Sequence, residues 1–133
     1  MAERKARVLV VDDNLEMART VGDGLADLGY EAVAVGSGRA AVDALQAQQI
    51  DVVVTDLRMP SVDGLEVLAA SRRLDAERPV IVMTAFSAID TAVESIRQGA
   101  YHYLTKPFKQ DELAIFLARA LEEVRVRGEA TAL

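Results

Sequence analysis

The chain has no cysteine, no tryptophan and one histidine, His102. Without cysteine, neither a disulfide framework nor a thiolate metal site is open to it. His102 stands between two tyrosines inside an apolar stretch, where a structural or partner-facing role is favoured over that of a general base. Long hydrophobic runs are also missing. Each apolar stretch is short and broken by charge, so no helical membrane span is expected. Residues 1–7 are charged and have no long apolar stretch behind them, so no secretory signal is read there and a cytoplasmic location is expected. A basic excess is missing too. The net charge of −6 argues against nucleic-acid binding by this chain.

What is present is core material. The 133 residues are 51% hydrophobic, enough for one domain of ordinary size. Apolar runs at 7–12, 31–35, 51–56, 80–84 and 101–104 predict five strands. Helical periodicity fills the intervals. Met17, Val21, Leu25 and Leu28 fall on one face of the first helix. Ala40, Ala41, Ala44 and Leu45 mark the second, with Ser37 as its N-cap. Leu65, Leu68 and Ala69 mark the third. Ile89, Ala92, Val93 and Ile96 mark the fourth, with Ser87 as a cap. Leu113, Leu117, Ala120, Leu121 and Val124 mark the fifth. Gly29 and Gly99 sit where the first and fourth helices should end. Five β-α units in series predict an α/β fold: a doubly wound, flavodoxin-like parallel sheet of five strands, order 2-1-3-4-5, with five helices. Residues 5–125 form the expected domain, and 126–133 a tail or the start of a linker.

Ligands in such a sheet bind beyond the carboxyl ends of the strands. That rule brings Asp12 and Asp13, Asp56, Thr84 and Lys106 to one rim. Each alone has an ordinary explanation; Asp13, for instance, is as readily an N-cap or turn former. Together they pose a question, because adjacent carboxylates repel. At about 4 Å the cost is roughly 1 kcal/mol in water and roughly 4 kcal/mol at an effective dielectric near 20. A hard divalent cation with oxygen ligands resolves it, Mg²⁺ foremost with Mn²⁺ as a substitute. Asp56 then has the character of a nucleophile toward phosphorus, with Lys106 and Thr84 supplying positive charge and a hydroxyl for a phosphoryl group.

The stretches VLVVDDN, VVVTDLRMPSVDGLEVL, PVIVMTAF and GAYHYLTKPF, in this order and spacing, resemble the receiver domain of two-component response regulators. The resemblance spans residues 8–124 and is nearest to receivers that precede ATPase-type, NtrC-like activators of sigma-54 transcription. It implies a phosphoacceptor signalling domain that takes a phosphoryl group from the phosphohistidine of a sensor histidine kinase or phosphotransfer protein. Asp56 is then the phosphoacceptor. Asp12, Asp13, Asp56 and the backbone carbonyl of Arg58 hold the metal. Lys106 pairs with phosphoryl oxygens, Thr84 and Tyr103 form the switch, and the Lys106–Pro107 bond is cis. The expected chemistry is self-phosphorylation and slow dephosphorylation, not enzymatic turnover. Phe86 departs from the pattern: it is apolar where some receivers carry a polar residue beside the route of attacking water.

Other residues invite simpler readings. Arg58 offers an exposed turn side chain, and Arg72–Arg73 a solvated helix end. Met59-Pro60 and Asp63-Gly64 shape the loop after Asp56. Ile115, with Val126 near its azimuth, lies opposite the apolar stripe of helix five. It suggests an outer face, with helix four and strand five, for a second subunit or a linker helix. Three competing functions share part of the chemistry. A haloacid-dehalogenase-type phosphohydrolase would want Asp-x-Asp after the first strand. An FMN carrier would want a hydroxyl- and glycine-rich phosphate loop. A phosphorylation-independent interaction module would not need the five rim residues.

Overall fold

The computed structural model describes residues 5–132. Its elements are β1 (Arg7–Val11), α1 (Leu15–Asp27), β2 (Glu31–Val35), α2 (Gly38–Ala47), β3 (Val52–Asp56), α3 (Gly64–Leu74), β4 (Val80–Ala85), α4 (Ile89–Arg97), β5 (His102–Lys106) and α5 (Gln110–Ala132). A 3₁₀ turn, Phe86–Ala88, precedes α4. The strands form one parallel sheet in the order β2-β1-β3-β4-β5, as the alternation of elements predicts.

Side chains alternate across a strand, so each central strand feeds two cores. Leu9, Val11, Val53, Val80 and Val82 meet Leu45, Val67, Leu68 and Ala92 from α2, α3 and α4. Val8, Val10, Val52, Val54, Ile81 and Met83 meet Val21, Leu25, Leu113 and Leu117 from α1 and α5. Burying one such side chain contributes roughly 1.5–3 kcal/mol. The central strands are thereby fixed in register, and so is everything at their ends.

The helix ends follow local chemistry. Asn14 caps α1 through Met17 N–H, and Ser37 caps α2 through Ala40 N–H at 3.0 Å. Asp63 and Glu66 form a reciprocal capping box on α3. Gly29 and Gly99 follow α1 and α4 with φ of 96° and 109°, the left-handed conformation that lets a helix stop.

Several expectations are corrected. Ser87 does not cap α4, because the 3₁₀ turn intervenes and Ala88 takes the N-cap position. Strand β5 begins at His102 and continues through Thr105 and Lys106. Pairing with β4, down to Ala85 against Lys106, holds these polar residues in the strand. His102 is therefore the first residue of its strand and not an interior one. Its ring packs on Phe116 at a centroid distance of 4.1 Å. Met17 on α1 and Leu28 just past its end are exposed, while Ala18, Val21 and Leu25 form the buried stripe. On α4, Val93 and Ile96 are likewise exposed and Ala92 is buried. Helix α5 continues to Ala132. No helix among the described residues is long and apolar enough to cross a membrane.

Candidate functional site

Register builds the site. Val11 pairs with Thr55, so Asp12 emerges beside Asp56. Asp56 pairs with Met83, which sets Thr84 one step beyond. Ala85 pairs with Lys106. Carboxylate oxygens of Asp12, Asp13 and Asp56 all lie within 4.8 Å of one another. Lys106 reaches across β4 and β3 to bridge two of them, with Nζ 2.7 Å from Asp12 Oδ2 and 3.2 Å from Asp56 Oδ2. The Lys106–Pro107 peptide bond is cis.

The three acids differ in environment. The Asp12 side chain is 3% exposed, and its other oxygen accepts the Asn14 N–H at 2.9 Å. Asp12 thus shapes the turn into α1 and faces the site at once. Asp13 is exposed and caps nothing, since Asn14 holds the N-cap position. Asp56 is 14% exposed, shielded yet open to a reactant. Its burial lifts its carboxyl above the usual carboxylate range. Lys106 opposes that rise by charge and hydrogen bond, and Asp12 and Asp13 add to it. Lys106 is also partly buried, which works against its charge. The hydrogen bond to Asp12 and the charges of Asp56 and Asp12 prevail and raise it above the ordinary lysine value. One ammonium therefore faces three carboxylates. It is held firmly charged, while Asp56 stays undercompensated.

Not every predicted residue joins the cluster. Thr84 is buried, and its hydroxyl donates inward to the carbonyls of Ala85 (3.3 Å) and Ala88 (3.4 Å). Tyr103 is half-buried against the core on the α2–α4 side. Arg58 is exposed in the loop after β3. The side chain of Phe86 lies outside the described residues.

The sequence marks Gly64 only as part of the loop after Asp56 and gives no role to Gly38. Gly64 lies over the carboxyl end of β3: a Cβ there would stand 2.3 Å from the Asp56 carbonyl oxygen. Gly38, at the start of α2, has the same relation to Val62, whose carbonyl oxygen would be 2.0 Å from a Cβ. The Asp-Gly pair at 63–64 signals a turn, but no local pattern reveals that Gly38 touches a loop more than twenty residues away.

Residues 8–118 match the family described as the response regulator receiver domain. The chain belongs to that family. It is 40% identical to the regulatory protein AtoC of Escherichia coli (strain K12), over 92% of this chain and 27% of that protein. It is also 40% identical to the response regulator protein FleR of Pseudomonas aeruginosa, over 86% of this chain and 24% of that protein. A crystal structure of NtrX from Brucella abortus in complex with ADP superposes with a TM-score of 0.90 at 32% identity, covering 96% of this chain and 30% of that one. Regulators of the NtrC type stand among these matches, as the sequence resemblance implies. The chain spans about a quarter of the length of these two regulators.

Proposed function

We propose that Asp56 is the phosphoacceptor of a two-component system, working with a divalent cation held by Asp12, Asp13, Asp56 and the Arg58 carbonyl. The observation that carries this reading is the bridge from Lys106 to Asp12 and Asp56 within one half-buried acidic cluster. The donor set fits a hard cation, since it offers carboxylate oxygen and neither nitrogen nor sulfur. Mg²⁺, or Mn²⁺ in its place, supplies charge neutralisation for an anionic donor and for the phosphoryl group in flight.

The step is a displacement at phosphorus. An Asp56 carboxylate oxygen forms the new O–P bond. The P–N bond to the donor kinase's histidine breaks, and its electron pair leaves on the imidazole, which takes up a proton. Lys106 already points at Asp56 and offers its ammonium to a phosphoryl oxygen. Thr84 gives up its bonds to Ala85 and Ala88 and turns toward the new group. Tyr103 then fills the space behind it. A coupling of roughly 1–3 kcal/mol is enough for such a two-state change. The altered surface of α4, β5 and α5, where Val93, Ile96, Ile115 and Val126 are exposed, receives a second copy of the chain or an output partner, and transcription is the output. The domain works in the cytoplasm and turns over only its own phosphate, so it is not an enzyme in the usual sense.

Acetyl phosphate with Mg²⁺, followed by peptide mapping in a mass spectrometer, tests this directly. One phosphoryl group is expected on Asp56, and none on the Asp56→Asn variant. Labelling of the wild type at another residue would refute the assignment.

A further inference from the structure

The loop between β3 and α3 is tied at both ends. Leu57 N–H donates to the Met83 carbonyl at 3.0 Å, and Gly64 N–H donates back to the Leu57 carbonyl at 2.8 Å. Between these ties lies Ser61, with φ of 65°, the one non-glycine residue in the left-handed region among the described residues. That region is unfavourable for L-residues with a side chain, and serine lacks the special tolerance of asparagine or glycine. Ser61 is exposed, so burial of its own side chain does not offset the cost. The neighbouring residues hold it instead. Val62 presses its backbone against the bare Cα of Gly38, and Asp63 is locked as the N-cap of α3. The same stretch borders the acids: Ser61 and Val62 line a cleft with Asp13, Ser37 and Arg39.

We propose that Ser61 is a positioning residue for the metal-binding site. Its left-handed turn, wedged by the contact between Val62 and Gly38, sets the course of residues 57–63. That course fixes the direction of the Arg58 carbonyl and steadies Asp56 at the end of β3. The inference rests on the proposed cation site and adds two residues outside the acidic cluster, one of them on α2. Strain that persists at an exposed position is explained when surrounding structure over-determines it, and such strain gathers at binding sites. A loop already bent to receive the ion need not reorganise on binding.

Binding of Mn²⁺, followed by loss of its free electron paramagnetic resonance signal, tests the proposal alongside thermal unfolding in chelator. Ser61→Val places a β-branched residue where the left-handed turn is least tolerated, so the loop relaxes. Mn²⁺ binding is expected to weaken about tenfold, which corresponds to about 1.4 kcal/mol. Ser61→Asn, which accepts the same backbone, is expected to bind within about twofold of wild type. Gly38→Ala, which pushes on Val62 from the other side, should also weaken binding. A merely structural residue would lower the unfolding temperature of Ser61→Val and leave Mn²⁺ affinity untouched. That result, or unchanged affinity in both Ser61→Val and Gly38→Ala, would overturn the positioning role alone. Absence of Mn²⁺ binding by the wild type would instead overturn the cation site and this inference with it.

Discussion

The two ends of the sheet handle charge in opposite ways. At the amino end the charges answer one another. Arg7 N–H donates to Asp51 at 2.7 Å, and its guanidinium meets Glu31 at 3.1 Å. Arg78 bonds the Ile50 carbonyl and the Ser71 hydroxyl, tying α3 to the entrance of β3. Arg127 reaches Glu77 at 2.8 Å. At the carboxyl end, three carboxylates gather within 4.8 Å of one another, and the Lys106 ammonium pairs with two of them, Asp12 and Asp56. The same parallel register serves both ends. One end balances itself and closes the fold. The other keeps a surplus of negative charge, an acidic cluster compatible with a divalent cation.

Removing a cation from each end should expose the difference most sharply. Lys106→Met leaves the buried Asp12 without its ammonium, and the metal-free protein is expected to lose about 2–3 kcal/mol in a denaturant titration. The matching change Arg127→Met breaks an exposed pair and is expected to cost under about 1 kcal/mol. Equal losses would erase the contrast. A smaller effect is expected on removing one charge from the surplus. Burial raises the Asp56 carboxyl, so the folded state favours its protonated form more than the unfolded chain does. The linked stability is full below the unfolded carboxylate value and is lost as pH rises through the raised one. Asp56→Asn escapes that loss. In chelator at neutral pH it is expected to be about 1 kcal/mol more stable than wild type, because the cost of burying the charge and the repulsion from Asp12 and Asp13 are both relieved. The gap should close in acid, and a gap that widened there would mean that the folded state lowers the Asp56 carboxyl instead of raising it.

Much of this was legible in the chain because buried parallel strands are short, apolar and punctuated. Runs such as VLVV and VVVT carry their own boundaries, and the acids that follow mark the rim. The order of units and the handedness of crossovers then fix the sheet. Sequence and structure part where tertiary pairing overrides local pattern. Thr105 and Lys106 are too polar to read as strand, yet β4 holds them there. Met17, Val93 and Ile96 fit the helical period and still face solvent, since periodicity gives a face but not how far the neighbouring element covers it. The site residues were legible as types, but their contacts were not. Nothing local reveals that Lys106 is nearest Asp12, or that Thr84 points away into the turn before α4. The wedge of Gly38 on Val62 depends on two loops meeting in space, which a single sequence does not display.

On the proposed reading, the carboxyl rim is incomplete without a hard cation. Thermal unfolding of the wild type and Asp56→Asn across a Mg²⁺ titration at neutral pH measures it most directly. The wild type is expected to gain stability with Mg²⁺ as binding to the folded state demands, and Asp56→Asn to gain distinctly less. A wild-type unfolding temperature indifferent to Mg²⁺ would contradict the account.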